Sequence, residues 1–245
     1  MSLILKFTAF AFSIYSVTAS AAEALKIDIP NKALTISFSA PVRLNTLLDE
    51  LNKQGVGGYF PLAAQLYNVS ETSALNHKKE QLFSDLEVYS KVNKEAGWVL
   101  EQLKNELFLP RQFVTLDRNV VISQFKSNAL LSGQYSLYLP DRKDSVSIFG
   151  VIQKAETMPW VEHRDFSSYL ETLPESALGD SADSSLAYAI QPDGHVIEVP
   201  YAYWNYSPKY FAPGAIFFLG FSSLPSEHAT LNQDIVELLR HKVNL

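Results

Sequence analysis

DSVSIFGVIQKAETMPW, residues 144–160, decides how the chain is read. Val146 and Ile148 alternate with serines, and Gly150-Val151-Ile152 carries the apolar run onward. Alternation with a period of two predicts a strand over Val146–Gln153 with one buried face. Gly150 inside it predicts a bend or a close approach of another backbone. After Met158-Pro159-Trp160, the segment DFSSYLETL (165–173) predicts a short helix. Asp165 is its N-cap, and Phe166, Tyr169, Leu170 and Leu173 form its apolar stripe.

Working outward, residues 25–52 show a similar order. Leu25–Phe38 reads as two strands joined at Pro30-Asn31-Lys32, and Arg43–Asn52 as a helix striped by Leu44, Leu47, Leu48 and Leu51. Residues 71–108 are the most helical stretch. Leu82, Leu86, Tyr89, Ala96, Leu100, Leu103 and Leu107 recur at three/four spacing, broken near Ser90–Asn93, which predicts an antiparallel helical hairpin. Arg111–Thr115 and Val120–Gln124 read as short strands about a turn at 116–119, and Gln134–Leu139 as another strand. Leu186–Ile190 and Val196–Val199 flank Pro192-Asp193-Gly194 as a hairpin, and Ala215–Leu219 is a fully apolar strand. Glu175–Ser185 reads as an acidic, serine-rich mobile surface loop. Thr230-x-x-Gln233 predicts a capping box for a terminal amphipathic helix lined by Leu231, Ile235, Leu238 and Leu239.

Composition narrows the function. Lys6, the apolar run Phe7–Val17 and Ala19-Ser20-Ala21 have the pattern of a cleavable secretory leader over 1–21, too short to span a bilayer. Its removal takes one Lys and no acidic residue, leaving 19 basic against 26 acidic side chains, or −7. That charge excludes nucleic acid as a natural partner and disfavours anionic lipid. No Cys is present, so disulfides, thiolate metal sites, Cys nucleophiles and a Cys-linked lipid anchor are excluded. With no later apolar run long enough to span, a soluble exported protein without a stable membrane anchor is expected.

GQYSLYLPDRKDSVSIFGVIQ at 133–153, MPW at 158–160, PDGHVIEVPYAYWN at 192–205, APGAIFFLGF at 212–221 and LNQDIVELL at 231–239 together resemble the GfcC family of exported capsule-biosynthesis proteins. YFPLAAQL at 59–66 and RQFVTLD at 111–117 sit where that family has comparable segments. The resemblance implies an α+β chain of two tandem β-grasp domains, similar in type to soluble parts of Wza-class polysaccharide exporters. It places a leader at 1–21, a first domain at 22–140 with a helical insert at about 71–108, a second at 141–222, and a C-terminal amphipathic helix at 223–245. It also implies a periplasmic, non-enzymatic role in capsule or exopolysaccharide assembly or export. The partners would be surface polysaccharide, outer-membrane export proteins, or both, with no cofactor. The loop at Asn205–Phe211 is richer in aromatics than the family pattern.

The resemblance matches Arg111 to an arginine placed in a pocket, and its planar donor fork suits carboxylates or sugar hydroxyls. A helix-capping role or pairing with Asp117 ranks ahead of that. In Tyr201–Phe211, Trp204 is expected in the core with Trp160, while Tyr206 and Tyr210 are the candidates for an exposed, sugar-stacking surface. Leu231, Ile235, Leu238 and Leu239 could dock the terminal helix on the chain's own body or on a partner. For catalysis there is no GxSxG, HExxH or GxxxxGK[ST] motif, and the histidines lack metal-ligand spacing. His163-Arg164-Asp165 is read as a helix start. The alternative function is a periplasmic enzyme modifying or attaching polysaccharide through a carboxylate pair, Asp180/Asp183 or Asp193/Glu198.

Overall fold

The computed structural model describes residues 24–244; the expected leader lies outside them. In order, the elements are β1 (Leu25–Ile29), β2 (Leu34–Phe38), β3 (Val42–Arg43), α1 (Leu44–Lys53), β4 (Gln65–Asn68), α2 (Thr72–Tyr89), α3 (Lys94–Lys104), β5 (Arg111–Gln112) and α4 (Arg118–Ser123). There follow β6 (Leu130–Leu131), β7 (Gly133–Tyr138), β8 (Ser145–Gly150), β9 (Glu156–Pro159), α5 (Phe166–Leu170), β10 (Leu186–Ile190), β11 (Val196–Pro200), β12 (Ile216–Leu219) and α6 (Leu231–Arg240).

Two sheets share one topology. The first has the order β2-β1-β7-β4-β5 and the second β9-β8-β12-β10-β11, and in each the first strand lies parallel to the last. A helix follows the opening hairpin in both, α1 in the first and α5 in the second. This is the β-grasp arrangement, and the fold is α+β. β1 alternates buried and outward residues, with Leu25, Ile27 and Ile29 fully buried against Leu44, Leu47 and Leu51 of α1. The second sheet packs Val146, Ile148 and Phe217 against Phe166 and Tyr169 of α5, which Asp165 caps by accepting the Ser168 N–H at 2.9 Å. Gly150 meets the close backbone approach expected of it. Its φ is +117°, and a Cβ there would collide with the Leu219 carbonyl of β12.

The hairpin α2–α3 is inserted between β4 and β5 of the first sheet but packs on the second. Leu82, Leu86, Val99, Leu100 and Leu103 join Phe149, Val151, Ile216 and Phe218 from the sheet face opposite α5. Asn93, at the break between the two helices, caps α3 by accepting from Glu95 N and Ala96 N. Gln102, buried on α3, donates to the Gly150 and Ile152 carbonyls and accepts from Gly150 N, so the backbone at the end of β8 is satisfied by the insert.

Several expectations are corrected. Val120–Gln124 belongs to α4 and the turn after it, because Asp117 accepts from Asn119 N and Val120 N and starts a helix where β-branched residues suggested a strand. The strand at Arg111 ends at Gln112. Glu156–Pro159, for which no strand was expected, pairs with β8 to make a hairpin. Leu107 lies past the end of α3 and is 61% exposed. Thr230 does not cap α6; its hydroxyl donates to Asp234 at 2.7 Å.

Candidate functional site

After β11, Pro208 and Pro213 keep the chain out of the ladder, and residues 201–211 form a loop on the second sheet's end. Its backbone is tied down by side chains. Asn205 accepts from Ala202 N (3.0 Å) and donates to the Ser185 carbonyl (3.1 Å). Gln191 donates to the Tyr210 carbonyl (2.9 Å) and accepts from Ala212 N (3.0 Å), while Trp160 Nε1 donates to the Phe211 carbonyl (2.9 Å). The Tyr201 hydroxyl donates to the Asp183 carbonyl. Phe211 points inward, edge-on to Phe217 at 4.7 Å.

The remaining rings face solvent: Tyr203 is 100% exposed, Trp204 75%, Tyr210 73% and Tyr206 50%. Trp204 is therefore not a core residue, whereas Trp160 is partly buried against the second core. Leaving large aromatic faces in water forgoes about 25 cal/mol for every Å² that could be buried. Four such rings stay in water on an anchored backbone. His163, at φ +60°, sets its ring 5.8 Å from Tyr210, and the Tyr206 hydroxyl donates to Asp165 Oδ2 at 3.2 Å. Partial burial alone would raise the Asp165 carboxyl, but hydrogen bonds from Ser168, Ser167 and Tyr206 outweigh it and hold it below its usual value. His163-Arg164-Asp165 thus opens α5 and buttresses the loop, with Arg164 stacked 4.6 Å over Tyr169.

Arg111 lies elsewhere, at the junction of both sheets and α6. It is 4% exposed, and its Nη2 donates to the Pro192 carbonyl in the β10–β11 turn at 2.6 Å. Its backbone N–H donates to His241 Nδ1 at 3.0 Å, and Nη1 has no partner. Burial lowers the guanidinium to about 10, opposed by the nearby Tyr67 and Asp193. Neither a helix cap nor an Asp117 pair forms, since Asp117 serves α4. Arg240 completes the joint, 3.9 Å over the Phe113 ring and donating to the Gly194 carbonyl at 2.9 Å.

Leu231, Ile235, Leu238 and Leu239 are all buried in the core shared by α2, α3 and the second sheet. The helix docks in cis, and this face is not open to a partner. A cleft of about 850 Å³ remains between α2 and α6, with both signs of charge on its walls, including Lys78, Lys79, Asp234 and Glu237, and no six-membered ring in its lining. In each acidic pair one member serves a local turn. Asp183 accepts from Ser185 N and Leu186 N, and Asp193 from His195 N. Among the described residues no group of three His, Cys, Asp or Glu is placed to hold a metal, and no helix is long and apolar enough to cross a membrane.

Two features escaped the sequence reading. Glu95 is buried on α3 and accepts from Asp180 N, Ser181 N and the Ser181 hydroxyl, so the acidic loop is clamped to the insert. Trp98, one turn on, lines a second recess. Its signal was available: it falls off the Ala96-Leu100-Leu103 stripe, where a large apolar residue has no core to fill.

The model of the GfcC capsule-biosynthesis N-terminal region matches residues 21–142, and that of the GfcC C-terminal region matches 154–244. The chain belongs to the GfcC capsule-biosynthesis family. YjbG, an uncharacterized protein of Escherichia coli (strain K12), is 33% identical over 135 residues, covering 54% of this chain and 54% of YjbG. The match thus spans about half the length of that curated relative. For a GfcC-family chain the expected capsule-related role holds at the level of the family.

Proposed function

We propose that this chain is a non-enzymatic accessory of capsular or exopolysaccharide assembly or export, acting in the periplasm after loss of its leader. Two β-grasp units, 22–140 and 141–222, with the 223–245 helix locked between them, present the aromatic loop to surface polysaccharide, to outer-membrane export proteins, or to both. The observation that carries this reading is the anchored loop 201–211, which exposes Tyr203, Trp204, Tyr206 and Tyr210 at once. Pyranose rings have an apolar C–H face that stacks on aromatic rings, and the tyrosine hydroxyls supply polar edges for sugar hydroxyls. Arg111 contributes by locking the two units together, since its Nη2 donates to the Pro192 carbonyl.

The test is a capsule-producing host lacking its own copy, complemented with the wild-type chain or with Trp204→Ser/Tyr210→Ser. Wild type restores surface polysaccharide, and the double variant, equally abundant and equally stable, does not. Full restoration by the double variant would remove the loop from the function.

A further inference from the structure

We propose that Trp98 and the recess beside it form a second sugar subsite, so that the chain holds a glycan segment of several units. This rests on the glycan-contact reading above. Trp98 sits on α3, half-buried, while Ala96, Val99 and Leu100 turn into the core. Beside it is a recess of about 460 Å³, bordered by Lys94, Gln153, Glu175, Ser176 and Asp180. That volume falls within the roughly 300–1,000 Å³ of small-ligand sites. An indole flanked by an amide, a hydroxyl, carboxylates and one ammonium offers a sugar both a stacking face and hydrogen-bond partners of both kinds.

The recess is built, not incidental. Its lip, 179–181, is fixed by buried Glu95 through Asp180 N (2.9 Å) and Ser181 N (3.3 Å). Gly179 packs so closely that a Cβ would strike Val151 and Glu95. Gln153 is held by donating to the Ser176 carbonyl at 2.9 Å. The sign of charge narrows the ligand. Lys94, whose ammonium lies 5.8 Å over the Trp98 ring and must swing aside for a sugar to stack, is outnumbered in the lining by Glu95, Glu175 and Asp180, which disfavours a carboxylate or phosphate and suits neutral or amino sugars.

The two aromatic sites share one segment. Residues 175–180 border the recess, and Asp183 and Ser185 receive Tyr201 and Asn205 of the aromatic loop. Asp180 to Ser185 reaches at most about 17 Å when extended. A single sugar touches one site, and a longer fragment reaches both.

The experiment titrates the full chain by calorimetry with the host's capsular polysaccharide, partially hydrolysed and fractionated by length. The chains compared are wild type, Trp98→Ala, Gln153→Ala, Glu175→Gln and Trp204→Ala, each checked by thermal melting. Wild-type affinity rises with fragment length. Trp98→Ala weakens the long fragments about tenfold, the scale of one lost stacking contact, and leaves the shortest fragments that bind at the loop unchanged. If Trp98→Ala melts early, Gln153→Ala and Glu175→Gln carry the same prediction. Length dependence unaltered in all recess variants, with Trp204→Ala still impaired, overturns the subsite and leaves the loop reading standing. No wild-type binding at any length overturns both.

Discussion

Replacing Arg111 by alanine separates a structural bolt from a ligand-binding arginine. The substitution removes a charge-assisted bond of 2.6 Å and leaves the buried Pro192 carbonyl without that donor. Bonds to charged groups contribute roughly 1.5–3 kcal/mol. Relief of a desolvated guanidinium whose Nη1 is unpaired offsets part of this, while the vacated volume beneath Phe113 adds to the loss. The net is about 2 kcal/mol of destabilisation. For a chain of this size that lowers the melting temperature by roughly 4–8 °C. The assay is calorimetric melting of wild type and Arg111→Ala beside Tyr210→Ala, whose exposed ring predicts no shift. If Arg111→Ala melts within about 1 °C of wild type yet loses polysaccharide binding, the bolt is refuted and the arginine contacts ligand.

Three further outcomes follow from the same contacts. The Glu237 carboxyl is held down to about 2 by His241 and Arg240. Its folded pKa is therefore depressed, and its contribution is present above about 4.5 and lost as pH falls towards 2. Because it is half exposed, the effect is only about 0.5–1 kcal/mol; urea midpoints against pH should show a shallower slope for Glu237→Gln in that window, and an unchanged slope contradicts the pairing. Gln102→Ala strips the buried Gly150 and Ile152 groups of three hydrogen bonds and should cost about 2–3 kcal/mol by urea unfolding; a loss under about 0.5 kcal/mol would show that water replaces the amide. Ile235→Ala should cost about 3 kcal/mol and removal of 226–245 should leave an unfolded product, because α6 fills the shared core. A folded, soluble truncated monomer by circular dichroism would refute that.

Local patterns carried much of the fold. Period-two alternation located β1, β7 and β8, leucine spacing located α1 and α6, and Asp165 announced α5. What failed was competition between local signals or reach across the chain. The β-branched run Val120-Val121-Ile122 favours a strand, yet the Asp117 cap and burial of Val121 against α1 make it helical. The packing of α2–α3 on the other unit's sheet depends on Gln102 and Glu95 finding partners 48 to 86 residues away, which periodicity does not encode. At the candidate site, Tyr206 and Tyr210 were the rings expected to be exposed, and both are. The exposure of Trp204 was not expected, because a tryptophan's average burial says nothing of a loop whose backbone is pinned by Asn205 and Gln191.

The proposed function is contact with polysaccharide that leaves the polymer unchanged. Size-exclusion chromatography of capsular polysaccharide after prolonged incubation with the purified chain tests this most directly. The polymer should keep its length distribution and carry the protein with it. A polymer peak that shortens or lengthens with wild type, and stays put with Glu175→Gln or Asp180→Asn, would contradict it.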